Sequence, residues 1–343
     1  MRGNMTGELK NFLCLLMANT YPPVLRRRLK RMLGDKNAKI VCGPWMSEIG
    51  YELLYWIPFL RWVKEEYGIE SERMHVISRG GVAGWYHGLA GGYSDLFDGH
   101  TVDVYNKESK YRMGAWRTQK QVGISPFERR FVDSVVQSER LGNHVFLHPS
   151  LMYNFMKYFP SGFMPVETIA GFSRYSALPV NKRPAFLAGL SENYVVVKFY
   201  ANDTFPNTPE NKIFIRRLLE RLCEKYKVVT LDTGMAVDDH MDMGCSEFKD
   251  RLYRIDHLFK EKNNLGIQTE VIKHATAFFG TYGGYAHIPL FYKVKSFGFF
   301  SKVYKYFYVH RDLTNRVADA LGHYEYKAID INKIHVDSFL RDI

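Results

Sequence analysis

No Cys-x-x-Cys pair occurs in the 343 residues; Cys14, Cys42, Cys223 and Cys245 stand far apart. That leaves buried, reduced thiols of a cytoplasmic protein as the reading. No Asp-x-Asp occurs either, which removes a common pair of oxygen ligands for Mn or Mg. The run Asp238-Asp239-His240-Met241-Asp242 gathers carboxylates in a spacing that fits no metal site and reads as a polar loop. "SRGGVAG" (Ser78 to Gly84) follows a strand-like run but lacks the Gly-x-Gly-x-x-Gly spacing, which excludes a dehydrogenase fingerprint. No run approaches the ~20 apolar residues of a membrane span. A secretory leader is not expected, because the basic cluster of "NFLCLLMANTYPPVLRRRLKRML" (Asn11 to Leu33) follows its apolar part.

What is present describes a folded protein. Apolar residues make up 46% and charged residues 24%, the balance of a globular chain, and the length suits two domains. The formal charge of +11 points to an anionic partner: a nucleotide, a phospholipid surface or nucleic acid. No RNP-like or helix-turn-helix signature accompanies that charge, so no specific nucleic acid is expected. Aromatics at 15% are consistent with sugar-stacking surfaces, although core packing is their commoner use. Residues 1–36 read as a basic amphipathic segment that either rests on an anionic membrane face or packs on the body as a solvated helix.

Strand-like and helix-like runs then alternate. "AKIVCGP", "MHVISRG", "HTVDVYN" and "HVFLHPS" read as strands. "EIGYELLYWIPFLRWVKEEYG", with a kink expected at Pro58, and "SPFERRFVDSVVQSERLG" read as helices. After an aperiodic stretch near 160–190 the alternation restarts with "NYVVVKFY", a helix opened by Thr208-Pro209, "KVVTLDT", "IQTEVIKHAT", "AFFGT", "KSFGFFS" and "RDLTNRVADALG". The fold class is therefore α/β with two tandem Rossmann-like domains, 37–175 and 185–322, a C-terminal strand and helix in 323–343, and a ligand cleft between the domains.

The strand ends carry the chemistry. In "FFGTYGGYAHIPLFYKV" (Phe278 to Val294) an apolar strand breaks at Gly280-Thr281-Tyr282-Gly283-Gly284 and resumes as a helix. The amides at such a helix start, with the Thr281 hydroxyl, suit a phosphate; a plain tight turn has the same pattern. Lys198 follows Val195-Val196-Val197, where a charge needs a partner and can meet a phosphate. Asp232 or Thr233 in "LDTG" can hold base or ribose, or simply make a turn. In "GPWMSEIGYE", Ser47 is expected to cap a helix. Glu48 and Glu52 then share one face, with Glu48 the candidate general base and His148 the reserve. Acidic residues also favour helix starts without any chemistry.

The tandem layout and "FFGTYGGYAHIPLFYKVKSFGFFS" resemble the GT-B glycosyltransferases, especially the bacterial heptosyltransferase-like and Kdo-transferase-like groups. In those, a Gly-Thr-Gly-type turn before a helix cradles the donor phosphates, and Thr281, Gly283, Gly284 and His287 match it. Tyr282 stands where a small residue is usual, and Gly280 where an Asp is usual. "GPWMSEIGYE" resembles the acceptor loop, with Glu48 in the position of the acidic base. The resemblance implies an inverting transfer from a nucleotide-sugar donor to a glycan or glycolipid acceptor in cell-surface polysaccharide synthesis. No metal and no cofactor are expected, and the location implied is cytoplasmic or peripheral on the inner face of the membrane. The other class of reading is a non-enzymatic, basic nucleotide- or nucleic-acid-binding α/β protein.

Overall fold

The computed structural model of the chain describes residues 7–190, 192–235, 241–243, 248, 250–304 and 306–341. Helix α1 (Gly7–Met32) carries Pro22 and Pro23 within it. Ala18, Leu25 and Leu29, with Leu33 just past its end, are buried, so one helical stripe packs on the body.

Strands β1 (Lys39–Cys42), β2 (Met74–Ser78), β3 (Gly92–Asp95) and β4 (His144–Leu147) form a parallel sheet in the order β3-β2-β1-β4. Ile40, Val41 and Cys42 are all fully buried, because a central parallel strand is covered on both faces. Between β1 and β2 lie a short α2 (Ile49–Tyr51), a π-helical turn Glu52–Trp56, and α3 (Ile57–Glu66) with Pro58 in its first turn. The π-turn absorbs the irregularity, so Pro58 opens a helix instead of kinking one.

The run His100–Asn106 was expected as a strand. It is instead the start of α4 (Val102–Trp116), and the third strand is β3. Val102 and Val104 imitate strand alternation, but the fully buried positions are Tyr105 and Arg112, two helical turns apart. Helix α5 (Pro126–Ser138) opens on a capping box between Ser125 and Glu128. Helices α6 (Ser150–Phe155) and α7 (Val166–Gly171) follow β4.

The second sheet has six parallel strands in the order β12-β11-β10-β5-β7-β9. These are β5 (Tyr194–Lys198), β7 (Lys227–Thr230), β9 (Leu252–Arg254), β10 (Ala277–Thr281), β11 (Lys295–Phe300) and β12 (Tyr326–Asp330). A small antiparallel pair, β6 (Tyr200–Ala201) with β8 (Met241–Asp242), lies outside it. Helices α8 (Pro209–Lys225, capped by Thr208), α9 (Asn264–Lys273), α10 (Gly284–Phe291) and α11 (Phe307–Leu321) make the crossovers, and α12 (Val336–Phe339) closes the described chain. The C-terminal strand is therefore the sixth strand of this sheet, and Arg221 of α8 pairs with Asp337 of α12 at 2.6 Å.

The largest apolar cluster includes Leu29, Trp56 and Leu60 on one side and Ile288, Leu290 and Phe307 on the other, so the two halves share one core. Cys14, Cys42 and Cys223 are free thiols; Cys245 lies outside the described residues. Among the described residues no helix is long and apolar enough to cross a membrane.

Candidate active site

The two parallel sheets meet across a cavity of about 180 Å³ at their carboxyl ends. One wall comes from the loop after β1 and from α2, the other from β6, the β10–α10 turn and α11.

Glu48 is half-buried on the first wall. It sits at the N-cap position of α2 in an extended conformation, without a side-chain cap bond. Ser47 does not cap the helix; its hydroxyl accepts from Tyr153 at 3.0 Å inside the core. Glu52 is not at the cavity. Its carboxylate is fully buried and accepts from Ser78 (2.5 Å), Tyr86 (2.6 Å) and Arg79 (3.1 Å). Burial pushes its pKa up, while Arg79 and the two hydroxyls pull it down. His148, the reserve base, is buried 3.5 Å from Glu128 and does not line the cavity.

On the facing wall the glycine-rich turn has a packing reason. Gly283 has φ 154° and lies against the Tyr200 hydroxyl, which a β-carbon there would overlap. A β-carbon on Gly284 would come within 3.0 Å of the Gly50 nitrogen and of Ile49. What approaches these glycines is thus the other half of the protein and a tyrosine. The Tyr200 hydroxyl lies on the amides of Gly284 and Tyr285, the groups a phosphate would use. The Thr281 hydroxyl, expected to point at a phosphate, instead binds the Tyr200 backbone, donating to its carbonyl (2.8 Å) and accepting from its amide (3.0 Å). Tyr282 is buried against Phe307 and His287, and lines the cavity.

Lys198 does end its strand beside the cleft, 4% exposed, but its charge is already met. Its Nζ donates to Asp242 at 2.7 Å and the Leu231 carbonyl at 3.2 Å, with Asp232 at 3.7 Å. Burial works against the cation, and Tyr285, Asp242 and Asp232 outweigh it, leaving the pKa raised. Asp232 is therefore first a partner of Lys198. Of the acidic run 238–242, Asp242 makes this pair, while Asp238, Asp239 and His240 lie outside the described residues. Among the described residues no group of three His, Cys, Asp or Glu side chains is placed to hold a metal ion.

His287, on α10, is buried beside the cavity with neither ring nitrogen hydrogen-bonded. Burial, and then the neighbouring His310, push its pKa down to about 3, so the ring is neutral at pH 7.

Sequence reasoning missed His310, Lys120 and Gln268. His310 of α11 reaches across the cleft to the hydroxyls of Tyr51 (3.1 Å) and Tyr55 (2.5 Å). Lys120 donates to the same Tyr51 hydroxyl at 2.6 Å. The Gln268 carboxamide is wholly buried without a hydrogen-bond partner, beside a smaller cavity of about 40 Å³ that Arg79 and Lys198 also line. No motif marks any of the three. "SRGGVAG", discounted as a dinucleotide loop, meets α9 here: the Gly266 amide donates to the Gly80 carbonyl at 2.8 Å.

Fold and site define an α/β protein with two parallel sheets closing on one acid-lined, tyrosine-rich cleft. No family model matches the chain, and no curated protein matches its sequence. Among solved structures, it is similar to E. coli heptosyltransferase WaaC with ADP, at 12% identity over 89% of this chain and 98% of that one, with a TM-score of 0.44. It is also similar to a glycosyl transferase family 9 protein from Veillonella parvula, at 13% identity over 89% and 90%, with a TM-score of 0.44. A third is the glycosyltransferase TibC from enterotoxigenic E. coli, at 11% identity and a TM-score of 0.43. The match covers 76% of this chain but spans only 58% of TibC. At these TM-scores the functional reading rests on the residues above and not on the likeness.

Proposed function

We propose that the protein is a GT-B-type glycosyltransferase, metal-independent and inverting, that moves a sugar from a nucleotide-sugar to a glycan or glycolipid acceptor in cell-surface polysaccharide synthesis in the cytoplasm. One observation carries the reading: Glu48 faces the helix start at Gly283–Gly284 across a cavity between the carboxyl ends of two parallel sheets. A carboxylate on one wall and helix-start amides on the other, held here by the Tyr200 hydroxyl, are the two groups the reaction needs. The carboxylate of Glu48 takes the acceptor hydroxyl proton as that oxygen attacks the anomeric carbon. The anomeric C–O bond breaks, and the diphosphate leaves with the electron pair toward the α10 amides, displacing the Tyr200 hydroxyl. Lys198 joins it by exchanging Asp242 for a phosphate oxygen. His287 offers an unpaired nitrogen to a sugar hydroxyl. At about 180 Å³ the cavity is below the roughly 300–1,000 Å³ of sites for larger ligands, so the cleft must widen to admit a whole nucleotide-sugar.

The test is a thermal-shift panel of UDP-, GDP-, ADP- and CMP-sugars. A ligand at a hundred times its Kd stabilises the fold by about 2.7 kcal/mol. No response to any of the four nucleotide classes would sink the reading. The formal charge of +11 favours one rival, a non-catalytic nucleotide- or nucleic-acid-binding protein. Salt-dependent retention on DNA without any nucleotide-sugar response would support that instead.

A further inference from the structure

Five of the largest exposed apolar side chains crowd into six residues of α1: Phe12, Leu13, Leu15, Leu16 and Met17, with Phe12 60% and Leu16 50% exposed. The same helix is already anchored to the protein by its other face, through Ala18, Leu25 and Leu29. Its outer apolar end therefore has no core left to join. One to two turns beyond Pro22 and Pro23 the solvent side becomes basic: Arg27, Arg28, Lys30 and Arg31 are exposed, and no ion pair among the described residues uses them. Arg26 differs, since it pairs with Glu66 and stacks over Trp62 and Phe172. At 100° per residue, Phe12, Leu16, Arg27 and Arg31 all fall on one side of the helix. Apolar and basic groups are thus separated along one solvent-facing side, not placed on opposite sides.

We propose that this side of α1 is a docking surface for an anionic phospholipid bilayer, with Phe12, Leu13 and Leu16 entering the acyl boundary and Arg27, Arg28 and Arg31 lying on the headgroups. The charge pattern selects the occupant: a protein partner or a second copy would cover the apolar end without needing an unpaired basic row beside it, whereas a bilayer offers both environments at one boundary. The dock also lies close to the cleft. Helix α1 packs on α6, Met17 receives a hydrogen bond from Tyr158 just beyond it, and Tyr153 of α6 stands 5.9 Å from Tyr51 on the cavity wall. One helix separates the bilayer contact from the cavity. The inference is independent of the glycosyl-transfer reading, because vesicle binding needs no nucleotide-sugar.

The experiment is co-sedimentation of the full chain with phosphatidylcholine vesicles, with and without phosphatidylglycerol. Binding is expected only to the anionic vesicles, and it should weaken as salt rises. Replacing Arg27, Arg28 and Arg31 together by Ser should weaken it on the order of a hundredfold, at about fivefold per basic residue. F12E combined with L16E should abolish it, with the melting temperature unchanged because both positions are exposed. Wild-type protein left in the supernatant, or equal binding to neutral vesicles, would overturn the proposal. A dimer in sedimentation equilibrium that F12E/L16E dissolves would overturn it too, by assigning the face to a second copy.

Discussion

At the residue scale the two glutamates one helical turn apart divide the work. Glu48 lines the cavity, whereas Glu52 is locked in a buried pair with Arg79. Glu48→Gln keeps the shape and removes the proton acceptor, so turnover should fall by about 10²–10⁴ while donor affinity holds. Glu52→Gln leaves Arg79 buried without its counter-ion, and the expected loss is stability, about 3–5 kcal/mol in denaturant unfolding. Equal and mild kinetic losses from both would remove Glu48 as the base. Tyr200→Phe vacates the Gly284 and Tyr285 amides and gives up the hydrogen bonds that the hydroxyl accepts from both. Because a diphosphate would no longer have to displace the hydroxyl, calorimetry should find UDP or ADP bound about fivefold tighter. Weaker binding would mean that Tyr200 itself contacts the ligand. His287 gives a pH signature. Its folded pKa of about 3 lies below the ordinary 6.5, so its neutral form contributes stability that is complete above pH 6.5 and lost as pH falls toward 3. The slope is at most about 1.4 kcal/mol per pH unit. His310, held near 4 by burial and then by Lys120, adds in the same direction. His287→Leu should flatten that acid slope in denaturant titrations between pH 6.5 and 4.5; an unchanged slope would place the destabilising protonation elsewhere.

At the scale of elements, α1 has a body-facing stripe as well as an exposed side, so removing it does more than detach a surface helix. Leu29 is fully buried in the main core, and Leu29→Ala should cost about 2–5 kcal/mol of unfolding free energy by denaturant titration. A loss below about 0.5 kcal/mol would mean that α1 rides on the surface. The same double demand explains which elements could be read from sequence. Strands β1, β5 and β10 are continuous apolar runs because both their faces are covered, and helices α5 and α8 announce themselves through Ser125, Glu128 and Thr208 caps. Helix α4 was misread because Val102 and Val104 share a stretch with few buried residues, where periodicity is weak. Strand β9 is three residues long, too short to carry any period. At the site, Glu48 and the β10–α10 turn were legible because strand ends are where ligands sit. The partners of Lys198 and Thr281 were not, since Asp242 and Tyr200 reach them from strands 44 and 81 residues away.

At the scale of the whole molecule, the glycines of the two halves meet each other. Gly284 abuts Gly50, Gly266 abuts Gly81, and Trp85 donates to Thr269 across the same seam at 3.1 Å. The shared apolar core continues past them, so the halves are held closed by backbone contact on both flanks of the cleft. A side chain inserted at this seam should act as a wedge, and its effect separates two roles for the turn. If Gly284 serves the phosphate alone, Gly284→Val should weaken nucleotide diphosphates and leave the shape of the protein unchanged. The 3.0 Å approach to Gly50 and Ile49 argues otherwise: a branched side chain there has nowhere to go unless α2 and α10 part. Overpacking of this kind typically costs about 1–3 kcal/mol, which a core of this size survives. Gly284→Val should therefore remain folded by circular dichroism, show a larger radius of gyration in small-angle scattering, and lose turnover because Glu48 is moved away from the donor wall. Gly50→Val, on the opposite wall, would place its β-carbon 3.6 Å from the Gly284 nitrogen and 3.3 Å from His287, so it should reproduce the expansion, the loss of turnover and the weaker nucleotide binding. An unchanged radius of gyration in both variants would mean that the seam yields locally, and that closure of the two halves does not depend on these glycines.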